Sequence, residues 1–368
     1  MTTLDAAPAG STGTETSEAA HAPDPDEVAG RVVRILNDGA ICGLASLGHE
    51  LGLFDTLAAL PPATSVQVAD AAGLDERYVR EWLAGMVTAG FVRYAPAERT
   101  YHLDPDHAPF LTGNGADNLA RTMRFTSLMG LVQPKVVEVF RRGGGLSYDD
   151  YPGFHHLQAA DSAAVNDASL LDTIIPLTGV VDRLEEGIVV ADIGCGEGHA
   201  INLLARAYPA SAFVGYDFSS EALDTARAEA AAWGLANVRF EVLDVARWEE
   251  VAAYDLVTTF DAIHDQAHPA TVLANIRRAL RPDGCYLMVD IKASSNLEDN
   301  LDLPWASFLY AVSTVHCMSV SLGQGGDGLG TAWGVQTAER MVREAGFSEV
   351  VVHDLEADPF NAYFVARP

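Results

Sequence analysis

A glycine-rich stretch constrains this chain more than any other, and it reads VVADIGCGEGHA from Val189 to Ala200. Its first three residues are apolar and predict a short buried strand. Gly194, Gly196 and Gly198 leave the backbone bare where that strand must turn into a helix. A ligand can therefore approach this turn closely.

Two acidic residues stand where such a turn would hold a nucleoside. Asp192 lies two residues before the first glycine, and Asp217 ends a second apolar run that begins at Ala212. This spacing predicts a strand, helix and strand unit with a carboxylate at the tip of the second strand, where it can bind a ribose diol. The same geometry binds NAD, but the dinucleotide fingerprint requires a glycine where this chain has His199. The departure argues against a pyrophosphate ligand.

Composition and charge place the chain among globular proteins. The chain has 368 residues, which is long enough for two domains with a sizeable core, and 49% of these residues are hydrophobic, as in globular proteins. The net charge of −28, from 51 acidic and 23 basic residues, argues against nucleic acid as a partner. The four cysteines are scattered, which predicts reduced thiols. No apolar run is expected to reach the roughly 18 residues that span a membrane, and no signal-like core is seen, so we expect a cytoplasmic protein without a membrane partner.

The N-terminal part is predicted to be mostly helical. Residues 1–26 are rich in Ser, Thr, Ala, Pro and acidic residues and predict a disordered tail. Between 27 and 110, a helix over 65–72, a second helix from Asp75 and two short strands predict a winged-helix domain. The second helix holds more acidic than basic residues, which disfavours DNA binding and favours a packing or dimerisation role.

The rest of the chain predicts an α/β domain with two accessory segments. Residues 111–186 are expected to form a helical linker, with an aromatic link over 148–156 that fits a substrate lid as well as a surface loop. Over 187–368, strands alternate with helices, which predicts a mostly parallel sheet covered on both faces. The insertion 292–333 fits a mobile cap as well as an apolar helix packed on the N-terminal domain.

A second cluster of candidate residues follows the fourth strand of this domain, in the run from Phe260 to His268. A histidine whose pKa lies near neutrality can take the proton from a hydroxyl group of a substrate when a carboxylate orients its ring. We take His264 as the candidate base, with Asp265 or Asp261 as the orienting carboxylate. His268 is more typical of a structural residue. The same side chains could ligate a metal, but the run is predicted as a loop without a further ligand at motif spacing, so no metal site is predicted.

The pattern Asp-x-Gly-x-Gly-x-Gly resembles the cofactor loop of class I S-adenosylmethionine (SAM) dependent methyltransferases. The last two predicted strands, joined by a short turn at Asp358 and Pro359, resemble the antiparallel hairpin that closes their Rossmann-like sheet. The small domain in front resembles the N-terminal dimerisation domain of small-molecule O-methyltransferases. The segments DIKASSNLEDN and STVHCMSV look like those of bacterial, often actinobacterial, methyltransferases with an N-terminal winged helix.

This resemblance implies SAM as the cofactor and gives a role to each strand tip. Asp217 would bind the ribose hydroxyls, Phe218 would pack on the adenine, and Asp244 would accept a hydrogen bond from the adenine amino group. The glycine loop would border the methionine part. Each Asp also suits a helix N-cap or a turn, so that alternative stays open. Further cofactor contacts are implied for Asp192, Val245 and Phe260.

We therefore expect a dimeric methyltransferase that moves a methyl group from SAM to a small-molecule acceptor, with O-methylation assisted by His264 as the first expectation. Nitrogen and carbon acceptors stay open, and His316 is a second candidate base. Two other classes also stay open. One is a SAM-responsive winged-helix transcription regulator, and the other is a protein that binds SAM on this fold without methylating.

Overall fold

The computed structural model of the protein describes residues 24–356 and 358–368. The predicted disordered tail, residues 1–26, lies outside the described residues except at its last three positions. The chain divides into two units, Met1–Ala40 and Ile41–Pro368, and the division falls inside the helix Pro25–Glu50.

The described elements follow the order that the sequence predicts, with helices first and an alternation of strands and helices afterwards. The helices are α1 (Pro25–Glu50), α2 (Leu53–Ala59), α3 (Ser65–Ala72), α4 (Glu76–Thr88), α5 (Leu119–Thr122), α6 (Arg124–Arg142), α7 (Phe154–Ser169), α8 (Val181–Glu186), α9 (His199–Ala207), α10 (Ser220–Ala232), α11 (Pro269–Ala279), α12 (Ala306–Val312), α13 (Met318–Gly323) and α14 (Val335–Glu344). The strands are β1 (Val92–Ala95), β2 (Thr100–Leu103), β3 (Val189–Ile193), β4 (Ala212–Asp217), β5 (Val238–Val242), β6 (Tyr254–Phe260), β7 (Leu280–Ile291), β8 (Glu349–Leu355) and β9 (Asp358–Arg367).

The helices α2 to α4 and the antiparallel pair β1 and β2 form the winged-helix arrangement. Local sequence fixes where its helices begin, because Thr64 and Gln67 form a capping box on α3 and Asp75 caps α4. The core forms around Phe54 and Trp82, whose rings meet edge to face with centroids 5.1 Å apart.

The larger sheet has seven strands in the order β5-β4-β3-β6-β7-β9-β8. All neighbouring pairs are parallel except those that β9 makes with β7 and with β8. The chain runs outward from β3 through β4 to β5 and then returns to the other side of β3 as β6. A crevice therefore opens at the carboxyl ends of β3 and β6, where ligands bind in sheets of this kind. The predicted α/β fold class with its closing antiparallel hairpin is confirmed.

The core lies on both faces of this sheet, because successive side chains of a strand point to opposite faces. Both faces are covered by helices, which explains why the central strands β3 and β6 are buried over almost their whole length. One cluster includes Val190, Phe213, Leu256 and Leu287, and the other includes the next residue of each strand, Ala191, Val214, Val257 and Met288.

Two segments near the crevice differ from the sequence predictions in their bounds. The aromatic link predicted over 148–156 is a loop only in part, since α7 already begins at Phe154. Asp358 and Pro359, predicted as the turn of the last hairpin, lie within β9. The insertion packs on the linker helices α6 and α7, because Val320 shares an apolar cluster with residues of both.

One apolar segment corrects the expectation that no run is long enough to span a membrane. Ala306–Gly323 covers 18 residues with a mean hydropathy of 1.2, and 39% of it is buried. Length and composition alone would let it cross a membrane, a test that core helices of globular proteins also pass. Cys317 and Val320 within this segment are buried in the protein.

Gly198 gives a test of how tightly the glycine loop is packed. Its φ is +73°, and an added Cβ would lie 2.6 Å from the Cβ of Ala226 and 2.8 Å from the ring of Phe240. We expect Gly198→Ala to lower the free energy of unfolding by about 2–4 kcal/mol, because it combines backbone strain with overpacking. Urea unfolding measures this change. Gly234→Ala is the matched control, since Gly234 has a φ of +68° and open space around it, and its cost should be about 1–2 kcal/mol. Equal losses in the two variants would contradict tight packing at Gly198.

Candidate functional site

The glycine loop after β3 is tied to the end of β4 by backbone and side-chain hydrogen bonds. Gly194 and Cys195 donate their backbone N–H groups to the carbonyl of Tyr216, at 2.8 and 3.0 Å. Gly196 donates its N–H to Asp217 Oδ2 at 2.9 Å. These hydrogen bonds hold the loop in place, and Gly196, where an added Cβ would meet no atom within 4 Å, leaves open space at the crevice.

The two predicted acidic residues of this region have different local roles. Asp217 at the tip of β4 also accepts a hydrogen bond from the Ser219 N–H at 2.8 Å, and burial raises the pKa of its carboxyl. Asp192 accepts a hydrogen bond from the Thr258 hydroxyl at 2.8 Å, which joins β3 to β6. Burial raises the pKa of Asp192 to about 7. Asp192 therefore stabilises the pairing of β3 with β6 inside the sheet and also lines the crevice.

The predicted cofactor residues all line one cavity of about 640 Å³ at the carboxyl edge of the sheet. Asp244 follows β5 and caps the turn Val245–Arg247 by accepting from the Ala246 N–H at 3.0 Å. It therefore combines the N-cap role with a place in the cavity wall. The lining members of the prediction are Asp192, Gly194, Gly196, Gly198, Asp217, Phe218, Asp244, Val245 and Phe260.

A second, smaller cavity of about 230 Å³ adjoins the first. His264 lines this cavity and not the larger one, whereas Asp261 and Asp265 line both. The two cavities thus meet at a common wall, as a site for two ligands requires. The residues that line both are Phe154, Gln158, Ser162, Asn166, Phe260, Asp261 and Asp265.

The ring of His264 is oriented by Asp290. The sequence prediction had assigned this role to Asp265 or Asp261, and the structure corrects it. His264 Nδ1 lies 2.8 Å from Asp290 Oδ1, which also accepts from the Trp333 indole at 3.0 Å. Adjacent loop residues point apart, so Asp265 instead accepts from the Tyr148 hydroxyl. The sequence signal that could have found Asp290 is a single acidic residue inside the apolar run of β7.

The charge environment of His264 favours its protonated form. Burial by itself lowers the pKa of the imidazole, but the Asp290 carboxylate and Cys317 raise it, and the net pKa lies well above 6.5. A paired carboxylate of this kind holds a proton on Nδ1, and Cys317, which also lines the smaller cavity, makes a second hydrogen bond with the ring.

Asp261 occupies a strained position in the common wall. Its φ of +50° is rare for a residue with a side chain and costs on the order of 1–3 kcal/mol. Its buried Oδ1 has no hydrogen-bond partner within the described part of the chain. Burial, together with the nearby Asp290 charge, raises the pKa of Asp261 to about 7. Strain and an unpaired oxygen at one position are typical of a functional residue.

His316 is a second buried imidazole in the smaller cavity. It lies in a π-helical turn, Ser313–Cys317, and its ring stacks on Phe154 with centroids 3.6 Å apart. Neither ring nitrogen has a hydrogen-bond partner among the residues that the structure describes. Burial and the charge of His264 lower its pKa to about 3, so the ring is neutral.

The aromatic link borders the larger cavity, which is lined by its residues Tyr148, Phe154 and His155. The Tyr148 hydroxyl donates to Asp265 Oδ2 at 2.6 Å, and its ring lies 5.2 Å from Phe218 and 5.5 Å from His155, measured between centroids. Burial raises the pKa of Asp265, and the hydrogen bond from Tyr148 opposes that rise. Tyr148 therefore connects the linker to Asp265 and to Phe218, two residues that line the larger cavity.

No group of three or more His, Cys, Asp or Glu side chains suited to a metal ion occurs in residues 24–356 and 358–368. His268, the remaining member of the His-containing run, is exposed at the start of α11 and lines the larger cavity.

The sheet order, the glycine loop and the acidic strand tips together define the class I SAM-dependent methyltransferase fold. Two family models match the chain in agreement with this. One, described as an Rv2258c-like winged HTH domain, matches residues 39–113, and the other, described as a methyltransferase domain, matches residues 184–354. The chain therefore carries an N-terminal winged-helix domain and a methyltransferase domain.

Known proteins resemble this chain in sequence over part of its length and in structure over nearly all of it. The trans-aconitate 2-methyltransferase of Methylobacterium nodulans is 33% identical over 115 residues, which is 31% of this chain and 40% of that relative. Human N-acetylserotonin methyltransferase, solved with SAM, has a TM-score of 0.65 at 15% identity and covers 97% of this chain and 99% of its own. The mitomycin 7-O-methyltransferase MmcR has a TM-score of 0.63 at 19% identity, with coverages of 93% and 98%.

Proposed function

We propose that this protein is a SAM-dependent methyltransferase that methylates a hydroxyl group of a small-molecule acceptor. The observation that carries the proposal is the pair of adjoining cavities, one at the glycine loop and one at His264, with a common wall. A methyl donor and an acceptor must meet in this way for an in-line displacement. The relatives named above are methyltransferases, which agrees with this proposal.

The residues of the larger cavity fit SAM. Gly196 borders open space in this cavity, since an added Cβ there would meet no atom within 4 Å, and the Asp217 carboxylate can bind the ribose hydroxyls beside it. Phe218, half exposed, offers a ring for the adenine to pack on. Asp244 keeps a carboxylate at the cavity edge for the adenine amino group. When bound, SAM would supply a methyl group on a positively charged sulfur, and the acidic strand tips suit that charge.

The residues of the smaller cavity fit a hydroxyl acceptor. The Asp290 carboxylate fixes the ring of His264, so that its second nitrogen can take the proton of an acceptor hydroxyl. The resulting imidazolium is stabilised by the same carboxylate. The rings of Phe154 and Phe308 give this position an apolar wall.

We also propose a homodimer formed through the N-terminal part of the chain, with boundaries of 27–110 for the winged-helix domain, 111–186 for the linker and 187–368 for the catalytic domain. Helix α1 exposes a set of large apolar residues that a partner could cover. The set is Val28, Val32, Val33, Ile35 and Leu36.

Nucleic acid is not proposed as a partner, since the arginines of α4 are paired with glutamates of the same helix. Arg77 contacts Glu81, and Arg80 contacts Glu76. These pairs reduce the positive charge that the helix could offer to phosphates. A cytoplasmic location stays a prediction from the sequence.

Replacing Asp217 tests the cofactor assignment. We expect Asp217→Ala to weaken SAM binding at least about tenfold, because it removes a charge-assisted hydrogen bond to the ligand and the anchor of the Gly196 N–H. Isothermal titration calorimetry measures the affinity. The control is Asp224→Ala on the exposed face of α10, where the carboxylate pairs with Arg227. An unchanged affinity in Asp217→Ala would contradict the assignment.

The pH dependence tests His264 as the base. Because its pKa lies well above 6.5, the imidazole is protonated at pH 6.5 and becomes a base as the pH rises through that raised pKa. We expect kcat/KM for the acceptor, at saturating SAM, to rise with pH around a midpoint well above 6.5. Asp290→Asn should move this midpoint to lower pH, since the carboxylate that raises the pKa is gone.

His264→Ala should lower kcat by about 10²- to 10⁴-fold while SAM affinity stays unchanged, because His264 lines only the smaller cavity. His353→Ala is the control, as His353 lies on β8 and lines neither cavity. Full activity of His264→Ala would show that the base lies elsewhere.

The double variant Val32→Asp with Leu36→Asp tests the dimer. The charges would make the exposed apolar part of α1 unsuitable for a partner, so the particle mass should fall from that of two chains to that of one. Light scattering after size-exclusion chromatography measures the mass. Asn37→Asp, which adds a charge at another exposed position of α1, should leave it unchanged. A wild-type protein with the mass of one chain would refute the proposal.

A further inference from the structure

The polar atoms of the smaller cavity that have no partner in the protein indicate what an acceptor must offer. His316 is only 3% exposed, and both of its ring nitrogens lack partners in the described ranges. A buried polar group without a partner costs free energy, and a native site commonly satisfies it with a ligand. A neutral imidazole has one donor and one acceptor nitrogen, so it can bind a hydroxyl, carbonyl or amide group.

The charges around this cavity disfavour an anionic acceptor. The only Arg or Lys among its described lining residues is Arg121, which is paired with Asp161 and donates to the carbonyls of Asn114 and Gly115. His264, the other candidate cation, is paired with Asp290. Four carboxyl groups share the wall, and they belong to Asp161, Asp261, Asp265 and Asp358. A buried carboxylate of the acceptor would therefore find repulsion and no free cation.

The volume and the aromatic lining of the cavity favour a compact acceptor with a planar ring. A cavity of about 150 Å³ holds benzene, so the observed 230 Å³ has room for one substituted ring. Aromatic rings line this volume, and Phe125 meets both Phe154 and Phe308 edge to face. Such walls favour an aromatic ring over a flexible chain.

We propose that the acceptor is a compact, uncharged aromatic alcohol with a second hydrogen-bonding group, and that His316 binds this second group while His264 faces the hydroxyl that is methylated. This inference rests on the proposed function and adds the acceptor's chemical class. It separates this chain from a methyltransferase for polycarboxylates such as trans-aconitate, the substrate named for the Methylobacterium nodulans relative.

A matched series of phenols tests the acceptor class. The series is 4-hydroxybenzamide, 4-hydroxybenzoate and 4-methylphenol, together with the three isomers substituted at position 3. The amides offer an uncharged hydrogen-bonding group, the benzoates a negative charge of similar shape, and the methylphenols neither. With the full-length protein and SAM, release of S-adenosylhomocysteine (SAH) gives kcat/KM for each compound. We expect the better amide to exceed the corresponding benzoate and methylphenol at least about tenfold.

Variants of His316 test its role in this preference. His316→Phe keeps a ring that can stack on Phe154 but has no nitrogen, so it should reduce the ratio of kcat/KM between amide and methylphenol to about one, with the change mainly in KM. His316→Gln keeps a donor and an acceptor and should retain part of the ratio. His353→Phe, on β8 outside both cavities, should leave the ratio as in the wild type.

The outcomes separate this inference from the proposed function. Equal kcat/KM for benzoates and amides, or an unchanged ratio in His316→Phe, would overturn the inference. Absence of SAH release with every phenol, while the protein still binds SAM, would overturn the acceptor class alone. Failure of the wild-type protein to bind SAM would overturn the proposed function. If His316→Phe does not fold, as shown by lost SAM binding, His316→Gln and the wild-type ranking decide.

Discussion

The hydrogen bond from the Gly196 backbone to the Asp217 carboxylate holds the glycine loop against the end of β4, and the candidate site depends on it. The loop needs positive φ at its three glycines, which only residues without a side chain adopt readily. One buried carboxylate thus shapes the loop and presents charge to the crevice. Burial raises the pKa of Asp217 because it disfavours the charged carboxylate. The hydrogen bonds from backbone N–H groups partly offset this rise.

The second constraint is the common wall of the two cavities. Asp261 holds a backbone conformation that is unfavourable for its residue type, and its neighbours Phe260 and Asp265 face both cavities. Strain of this kind persists only where the surrounding packing imposes it, here through the hydrogen bond from the Asp261 N–H to the carbonyl of Val289. The wall is therefore placed by the β6 and β7 pair, and the ligands would meet at a position that the rigid sheet defines.

The sequence predicts the fold well because its signals are local. Alternating apolar runs and glycines specify β3, α9 and β4 within one or two residues, and acidic residues mark the strand ends that line the larger cavity. The pairing of His264 with Asp290 was not predictable in the same way. Asp265 was favoured because it adjoins His264 in sequence, whereas Asp290 reaches that ring from β7, the neighbouring strand. Long-range pairing across a sheet leaves little trace in a single sequence, and the unpartnered nitrogens of His316 leave none.

Titration of the wild-type protein with SAM, SAH and NAD by calorimetry distinguishes a SAM site from a dinucleotide site. We expect binding of SAM and SAH in the micromolar range and no binding of NAD, because the glycine loop lacks the pattern for a pyrophosphate. Binding of NAD, or no binding of either sulfur ligand, would contradict this expectation.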